Sequence, residues 1–410
     1  MTLRLRAPAK LNLYLRVLGK RPDGYHEIET LFERIDLADE LTIEPHPDQL
    51  LLTCDAPELS CGEDNLILKA ARLLQQVGGT HQGARLHLIK RIPIAAGLGG
   101  GSSDAAATLL GLNRLWGLGL TPSRLRELGA SLGSDVPFFL ADAPWAIGRG
   151  RGEVCEPLDL PRLQRSSLEA NGEPVEPEPL PGGLSLAHVL VVPNIRLSTK
   201  DIYEGCSSGA KPKAESRDGS TRPSASLTIP SERSKSRDDP AIAPPPGFAS
   251  QSEASGVGDM VMPPPMGGRD VAPHGAGPAP SGGGAGVPVP RALPVGLHLT
   301  ATRPSLMMVK HAFSNGPAAT GLARVLWNDL EPEAIRRCPA ISRIQHQLRA
   351  LGCLGTRLSG SGPAVFGLCH DAGHAKRVTE AMRAQAAPSW RVELVQTDSS
   401  SRVLSPDVIE

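Results

Sequence analysis

Aromatic residues are scarce, at 3% of the 410 positions, so Leu, Val, Ile and Ala must fill any core. No charge of either sign is in surplus: 43 Lys and Arg balance 43 Asp and Glu. Binding a phosphate backbone needs a basic excess, which argues against nucleic acid as a main partner. No apolar run approaches the roughly 18 residues of a membrane span, so no membrane partner is expected. The opening "MTLRLRAPAKLNLYLRV" carries a charge every few residues and lacks the apolar centre of a secretory signal, which leads to the expectation of a cytoplasmic location. The seven cysteines are odd in number and none forms a C-x-x-C pair. That pattern speaks against a zinc ribbon or a disulfide framework and for free thiols in a reducing compartment.

Glycine and proline are plentiful but unevenly spread. Across 205–300 nearly half of the positions are Gly, Pro or Ser, with runs such as Pro244-Pro245-Pro246 and Gly282-Gly283-Gly284. Such a stretch cannot bury enough apolar surface to offset its ordering entropy, so 205–300 is expected to be a disordered insertion. A shorter low-complexity loop is expected at 165–183. The rest divides into an N-terminal domain, 1–160, and a C-terminal domain, 184–204 with 301–410.

Period-two alternation of Leu11, Leu13, Leu15 and Val17 predicts a strand, with Lys10, Asn12 and Tyr14 on its opposite, polar face. Helices are expected at 64–74, capped by Asp64 or Asn65, at 103–116, and at 122–129 behind a Thr121 cap. Further helices are expected at 318–326, 333–351 and 372–384, and strands at 86–89, 365–368 and 392–395. Strands and helices mixed without strict alternation indicate an α+β fold.

The segment most informative about chemistry is Pro93-Ile94-Ala95-Ala96-Gly97-Leu98-Gly99-Gly100-Gly101-Ser102-Ser103-Asp104. A strand runs into four glycines and two serines, then into a helix. Glycine lets backbone N–H groups close on an anion, and the helix N-terminus adds its positive dipole end. Ser102 and Ser103 can cap the helix or offer hydroxyls to phosphate or magnesium. Asp104 reads as a first-turn acid favoured by the helix dipole or as a metal neighbour. The loop is neither a Walker A motif, since no Lys precedes Ser102, nor a dinucleotide fingerprint, since Ser102 stands where the last Gly belongs. The protein-kinase signatures V-A-I-K, H-R-D and D-F-G do not occur.

Two further segments join it: Pro8-Ala9-Lys10-Leu11-Asn12-Leu13 near the start, and Leu358-Ser359-Gly360-Ser361-Gly362-Pro363-Ala364-Val365-Phe366 near the end. Together the three resemble the GHMP kinases. The resemblance extends through 8–32, 63–74, 93–116, 132–140 and 328–331, essentially everything outside the low-complexity stretches. It implies a two-domain α+β fold, with a ribosomal protein S5 domain 2-like N-terminal domain and a ferredoxin-like C-terminal domain. It implies ATP as phosphoryl donor, with Mg2+ whose ligands stay unassigned. Asp23-Gly24-Tyr25-His26 marks the branch whose acceptor is the 2-hydroxyl of a cytidine-diphospho-methylerythritol, on the non-mevalonate route to isoprenoid precursors.

By that resemblance Asp135 is the catalytic base and Lys10 the catalytic lysine, although Asp135 could instead cap the helix entering at Val136-Pro137. Residues 93–103 would hold the ATP phosphates. Asn65 would lie near the adenine, or be only a helix cap. Tyr25 would stack on the cytosine and His26 would bond its edge. Thr199 and Tyr203 would line the same pocket, Tyr203 facing Tyr25 across the ring, and Asn12 would lie near the reacting hydroxyl. The alternatives are a GHMP kinase for another small alcohol, such as homoserine or mevalonate, and a non-catalytic ligand sensor on the same fold. Monomer or weak homodimer is the expected state. The insertion is expected to be neutral for turnover, with a Pro-rich docking arm as the alternative.

Overall fold

In the computed structural model the described residues are 1–141, 143–158, 184–208, 303–312, 318–399 and 407–409. The expected loop at 165–183 lies outside them, and so does the expected insertion from 209 onward.

The N-terminal half opens with two long antiparallel strands, β1 (Thr2–Lys20) and β2 (His26–His46), paired along nearly their whole length. Then come β3 (Leu50–Cys54), α1 (Leu66–Gly78), β4 (Gly83–Ile89), α2 (Gly100–Leu115), α3 (Pro122–Leu132), the single turn α4 (Val136–Phe139), β5 (Trp145–Arg149) and β6 (Val154–Pro157). The alternation seen in the sequence of β1 is real, but both of its faces are covered. Leu11, Leu13 and Leu15 are buried on one side, and Lys10, Asn12 and Tyr14 are buried on the other. The polar face is therefore an interior one, and that is where the site lies.

The C-terminal half holds β7 (Ala187–Pro193), α5 (Thr199–Ser208), α6 (Leu306–His311), α7 (Ala318–Ala323), β8 (Trp327–Asn328), α8 (Glu331–Arg337), α9 (Ala340–Ala350), β9 (Gly355–Leu358), β10 (Val365–Leu368), α10 (Ala372–Gln385), β11 (Trp390–Gln396) and β12 (Asp407–Ile409). Its sheet runs β11-β7-β10-β9 with every neighbour antiparallel. Taken in chain order this is the fourth, first, third and second strand, the ferredoxin-like arrangement with helices on one face. β8 and β12 instead join the N-terminal sheet alongside β1.

Several boundaries differ from expectation for local reasons. The single helix expected over 333–351 is two, because Pro339 has no N–H to donate and forces Cys338 out of the helical region, to φ −135° and ψ 84°. The helix expected from 103 starts at Gly100, so Ser102 and Ser103 lie inside its first turn and neither caps it. Helix α5 continues through Ser208, so the insertion begins later than 205.

The two halves share one core. Leu11, Leu13 and Trp145 of the first half pack with Leu190, Phe366 and Val395 of the second. Polar contacts cross the same seam. Glu33 of β2 and His188 of β7 are both fully buried, with Nε2 2.8 Å from Oε2. Thr397 donates its hydroxyl to the other Glu33 oxygen at 2.6 Å and accepts the Leu186 N–H. Beside them the buried Arg34 reaches Asp398, at 3.7 Å from carboxylate and 3.1 Å from carbonyl. Burying unpaired charge is costly, so these contacts resist any separation of β2 from β7 and β11.

Candidate active site

The glycine loop and the late glycine turn build one wall together. The Gly97 backbone, at φ +80°, lies so close to Ser359 that a Cβ would sit 2.2 Å from the Ser359 carbonyl oxygen. Ser359 donates its hydroxyl to the Gly97 carbonyl at 3.1 Å, and the Ala364 N–H donates to Ala96 at 3.1 Å. Only glycine meets both the dihedral and the closeness at Gly97. Helix α2 then begins with Gly99 as its cap and no side chain bonded to its first N–H groups. That leaves the amino end of a 16-residue helix turned to the loop with donors to offer an anion.

Lys10 and Asp135 meet across this wall. Lys10 Nζ lies 3.4 Å from Asp135 Oδ2, and the lysine side chain is only 4% exposed. The ammonium also donates to Asn12 Oδ1 and stands over the Phe32 ring at 5.5 Å. Asn12 is fixed in turn by donating to Thr30 Oγ1 at 2.8 Å, while its backbone N–H reaches Ser359 Oγ at 3.3 Å. Asp135 occupies the position before α4, yet its side chain makes no capping bond.

The residues named from the sequence come together. Lys10, Asn12, Tyr25, His26, Asn65, residues 93–102, Asp135, Thr199 and Tyr203 all line a single cavity of about 1100 Å³. Ser103 is the exception: it is buried within α2, and its hydroxyl has no hydrogen-bond partner. Asn65 is the cap of α1, accepting the Ile67 N–H at 2.9 Å, and it lines the cavity as well. Thr199 Oγ1 lies 2.9 Å from Ser361 Oγ of the late glycine turn. His26 stacks on Tyr203, with centroids 5.1 Å apart, while Tyr25 carries the Arg151 guanidinium on its face. Burial pushes the Tyr203 phenol well above its usual range, with the Asp135 charge adding to the effect. Burial, and then Lys20, pull His26 below the usual imidazole value, which favours a neutral ring able both to donate and to accept.

Sequence reasoning passed over a buried triad beneath the loop. Lys90, the first residue after β4 and three before Pro93, bonds Asp39 on one side and Asp104 on the other, the latter at 2.9 Å. Asp39 also accepts the N–H groups of Arg91 and Ile92. Strand β2, the end of β4 and the first turns of α2 are thereby tied at one point. Asp104 is thus an ion-pair partner rather than a first-turn acid. Burial pushes its carboxyl up to about 7, against the pull of Lys90. Burial also disfavours the Lys90 ammonium, but Asp104 and Asp39 outweigh that and hold its pKa above the usual value. The pointer in the sequence was Lys90 itself, a cation between a strand and a glycine loop.

Comparison with known proteins agrees with this architecture. The GHMP kinases N terminal domain matches residues 65–142 and the GHMP kinases C terminal domain matches 313–387. A 4-diphosphocytidyl-2-C-methyl-D-erythritol kinase of Pelotomaculum thermopropionicum is 32% identical over 378 residues, 92% of each chain. One of Synechococcus sp. (strain CC9311) is 55% identical over 167 residues, 40% of this chain and 53% of the relative. In such higher-identity matches the chain spans about half the length of the curated relatives it matches. A crystal structure of 4-(cytidine 5'-diphospho)-2C-methyl-D-erythritol kinase superposes with a TM-score of 0.58 at 27% identity, covering 96% of this chain and 98% of that one. A mevalonate kinase of L. major, at 14% identity and a TM-score of 0.55, shares the fold. The chain is a GHMP kinase. Within that class it belongs to the 4-diphosphocytidyl-2-C-methyl-D-erythritol kinase family.

Proposed function

We propose that the chain transfers the γ-phosphoryl group of ATP to the 2-hydroxyl of 4-diphosphocytidyl-2-C-methyl-D-erythritol. The observation that carries this reading is the Lys10–Asp135 contact at 3.4 Å, set in the same cavity as the glycine loop and the Tyr25, His26 and Tyr203 rings. An alcohol is a poor nucleophile, and a carboxylate within hydrogen-bond reach can take its proton as the bond to phosphorus forms. Asp135 is that base. Lys10 offsets charge on the transferring group, while Asn12 and Phe32 keep the ammonium in place. Residues 97–102 present backbone N–H groups to the phosphates. Catalysis is then chiefly positioning and electrostatic stabilisation.

Magnesium fits this site in a limited way. Among the described residues no three His, Cys, Asp or Glu side chains converge as a ready-made cage. That suits an ion held mostly by phosphate oxygens and water. Ser102, which lines the cavity at the start of α2, would offer it a hydroxyl. Bound there, the ion would neutralise charge on the β- and γ-phosphates.

His26 and the two tyrosines supply selection for the base: a neutral ring with a donor and an acceptor, beside aromatic faces. Asp23-Gly24-Tyr25-His26, between β1 and β2, brings Tyr25 and His26 to the cavity, and α5 brings Tyr203. A coupled ATP-turnover assay with the cytidine substrate, and with homoserine and mevalonate as controls, tests the reading. Turnover with the cytidine substrate alone is expected. Turnover with a control instead, or ATP binding with no acceptor at all, would reject it.

A further inference from the structure

Arg151 was not among the residues the sequence singled out. It sits on the turn joining β5 to β6, between Gly150 at φ 72° and Gly152 at φ 110°. The Gly152 N–H closes this turn on the Arg149 carbonyl at 3.0 Å, and the Ile28 N–H ties it to β2 through the Gly150 carbonyl at 2.7 Å. The Arg151 backbone N–H is held by Glu153 Oε2 at 2.5 Å. The turn is thus anchored on both sides, and the side chain it carries has a defined place.

That place lies between the two ends of the cavity. The guanidinium carbon is 4.8 Å from the centre of the Tyr25 ring, at the aromatic end. Gly152, the next residue, adjoins the other end, where a Cβ would stand 3.8 Å from Asp135 Oδ1. The remaining cations of the cavity are Lys10, Lys90 and Lys200. Lys10 is engaged by Asp135 and Asn12, and Lys90 by Asp39 and Asp104. Arg151 has looser carboxylate neighbours: Glu153, with Nε 3.6 Å from Oε1, and Asp23, whose carboxyl its charge helps to lower; its turn adjoins both ends of the cavity.

We propose that Arg151 binds the diphosphate of the acceptor substrate, its guanidinium lying on Tyr25 and donating to phosphate oxygens. This rests on the acceptor reading given above. An acceptor with a base at one end and a reacting hydroxyl at the other carries its two phosphates in the interval beside which the Arg151 turn lies. A planar fork of N–H donors suits phosphate oxygens, and stacking on an aromatic face leaves its edge free to donate.

The test is calorimetric titration of the full chain with cytidine and with CDP, in wild type, Arg151→Ala and Arg151→Lys, each first shown to be folded by its thermal melt. Wild type should bind CDP about tenfold or more tighter than cytidine, the gain of a charge-assisted contact. Arg151→Ala should lose most of that ratio while cytidine affinity stays within about twofold, and Arg151→Lys should keep part of it. An equal loss for both ligands would mean that Arg151 merely props Tyr25, and would overturn the proposal. So would an unchanged ratio, or a wild type that does not prefer CDP, and in those cases the acceptor reading stands. A wild type that binds neither ligand would overturn both.

Discussion

Asp135 stands where a helix cap would stand, yet its carboxylate leaves the N–H groups of α4 alone and faces Lys10 across 3.4 Å. The distinction matters because the two roles predict different losses. A cap is worth about 1 kcal/mol of stability and nothing in turnover. A base that accepts the hydroxyl proton is worth roughly 100-fold or more in rate. Asp135→Asn is therefore expected to lower kcat by at least about 100-fold while leaving the melting temperature and ATP affinity nearly unchanged. Steady-state kinetics and a thermal melt on the same preparation check this. A stability loss with kcat intact would return Asp135 to the capping role.

The contact between Gly97 and Ser359 makes a second contrast measurable. At Gly97 a methyl group meets a backbone carbonyl at 2.2 Å, and the positive φ adds strain of its own. Gly97→Ala should therefore cost on the order of 2–4 kcal/mol. At Gly101, inside α2, the nearest foreign atom to a Cβ is a Leu66 methyl at 3.6 Å, ordinary packing distance. Gly101→Ala should leave stability unchanged or raise it by up to about 1 kcal/mol, the helix-propensity difference. Denaturant melts of the two variants decide the matter, and equal effects would contradict the close approach of the two glycine segments.

The elements that follow from local chemistry were legible in the sequence. The caps Asn65 and Thr121 are where their side chains predict, and the alternating leucines of β1 do face a core. The two glycine segments and the Pro8–Leu13 segment all contribute to one cavity. What could not be read is whatever depends on contacts distant in the chain. Nothing local to Lys10, Asn12 or Tyr14 says that the glycine loop, Asp135, Pro304 and the Ser359 turn close over their face. The Glu33–His188 pair joins residues far apart in sequence, and each alone reads as an ordinary polar residue on a strand. Arg151 was missed for the same reason, since only the fold brings it to Tyr25.

That Glu33–His188 pair carries a third expectation. Removing one partner of a buried polar pair leaves the other unsatisfied, at about 1–3 kcal/mol, whereas replacing both with apolar groups costs far less. Glu33→Leu alone should be strongly destabilising. Adding His188→Leu should recover part of the loss, although a new apolar pair pays no regard to the Thr397 hydroxyl that bonds Glu33. A double-mutant cycle in denaturant measures the coupling. Simple additivity of the two single changes would show that the pair does not act as a unit at the seam.

The triad under the glycine loop predicts how stability varies with pH. Asp104 is buried, and its folded-state pKa is raised to about 7. A carboxyl that holds its proton more tightly in the folded than in the unfolded state favours folding fully at acid pH. That contribution is lost as pH rises from the unfolded carboxylate value, about 4, through about 7. Asn cannot ionise, so Asp104→Asn removes this loss, and Lys90 keeps Asp39 as its partner. The variant's melting temperature relative to wild type should therefore climb between pH 4.5 and pH 8, with most of the change below about pH 7. Taking the difference between the two proteins cancels groups that titrate alike in both. Each tenfold change in proton affinity is worth about 1.4 kcal/mol, so the effect is on the order of a few kcal/mol at most. Paired melts across that range measure it directly. A difference that stays flat with pH would mean that Asp104 keeps an ordinary proton affinity, its charge held by Lys90 at no net cost.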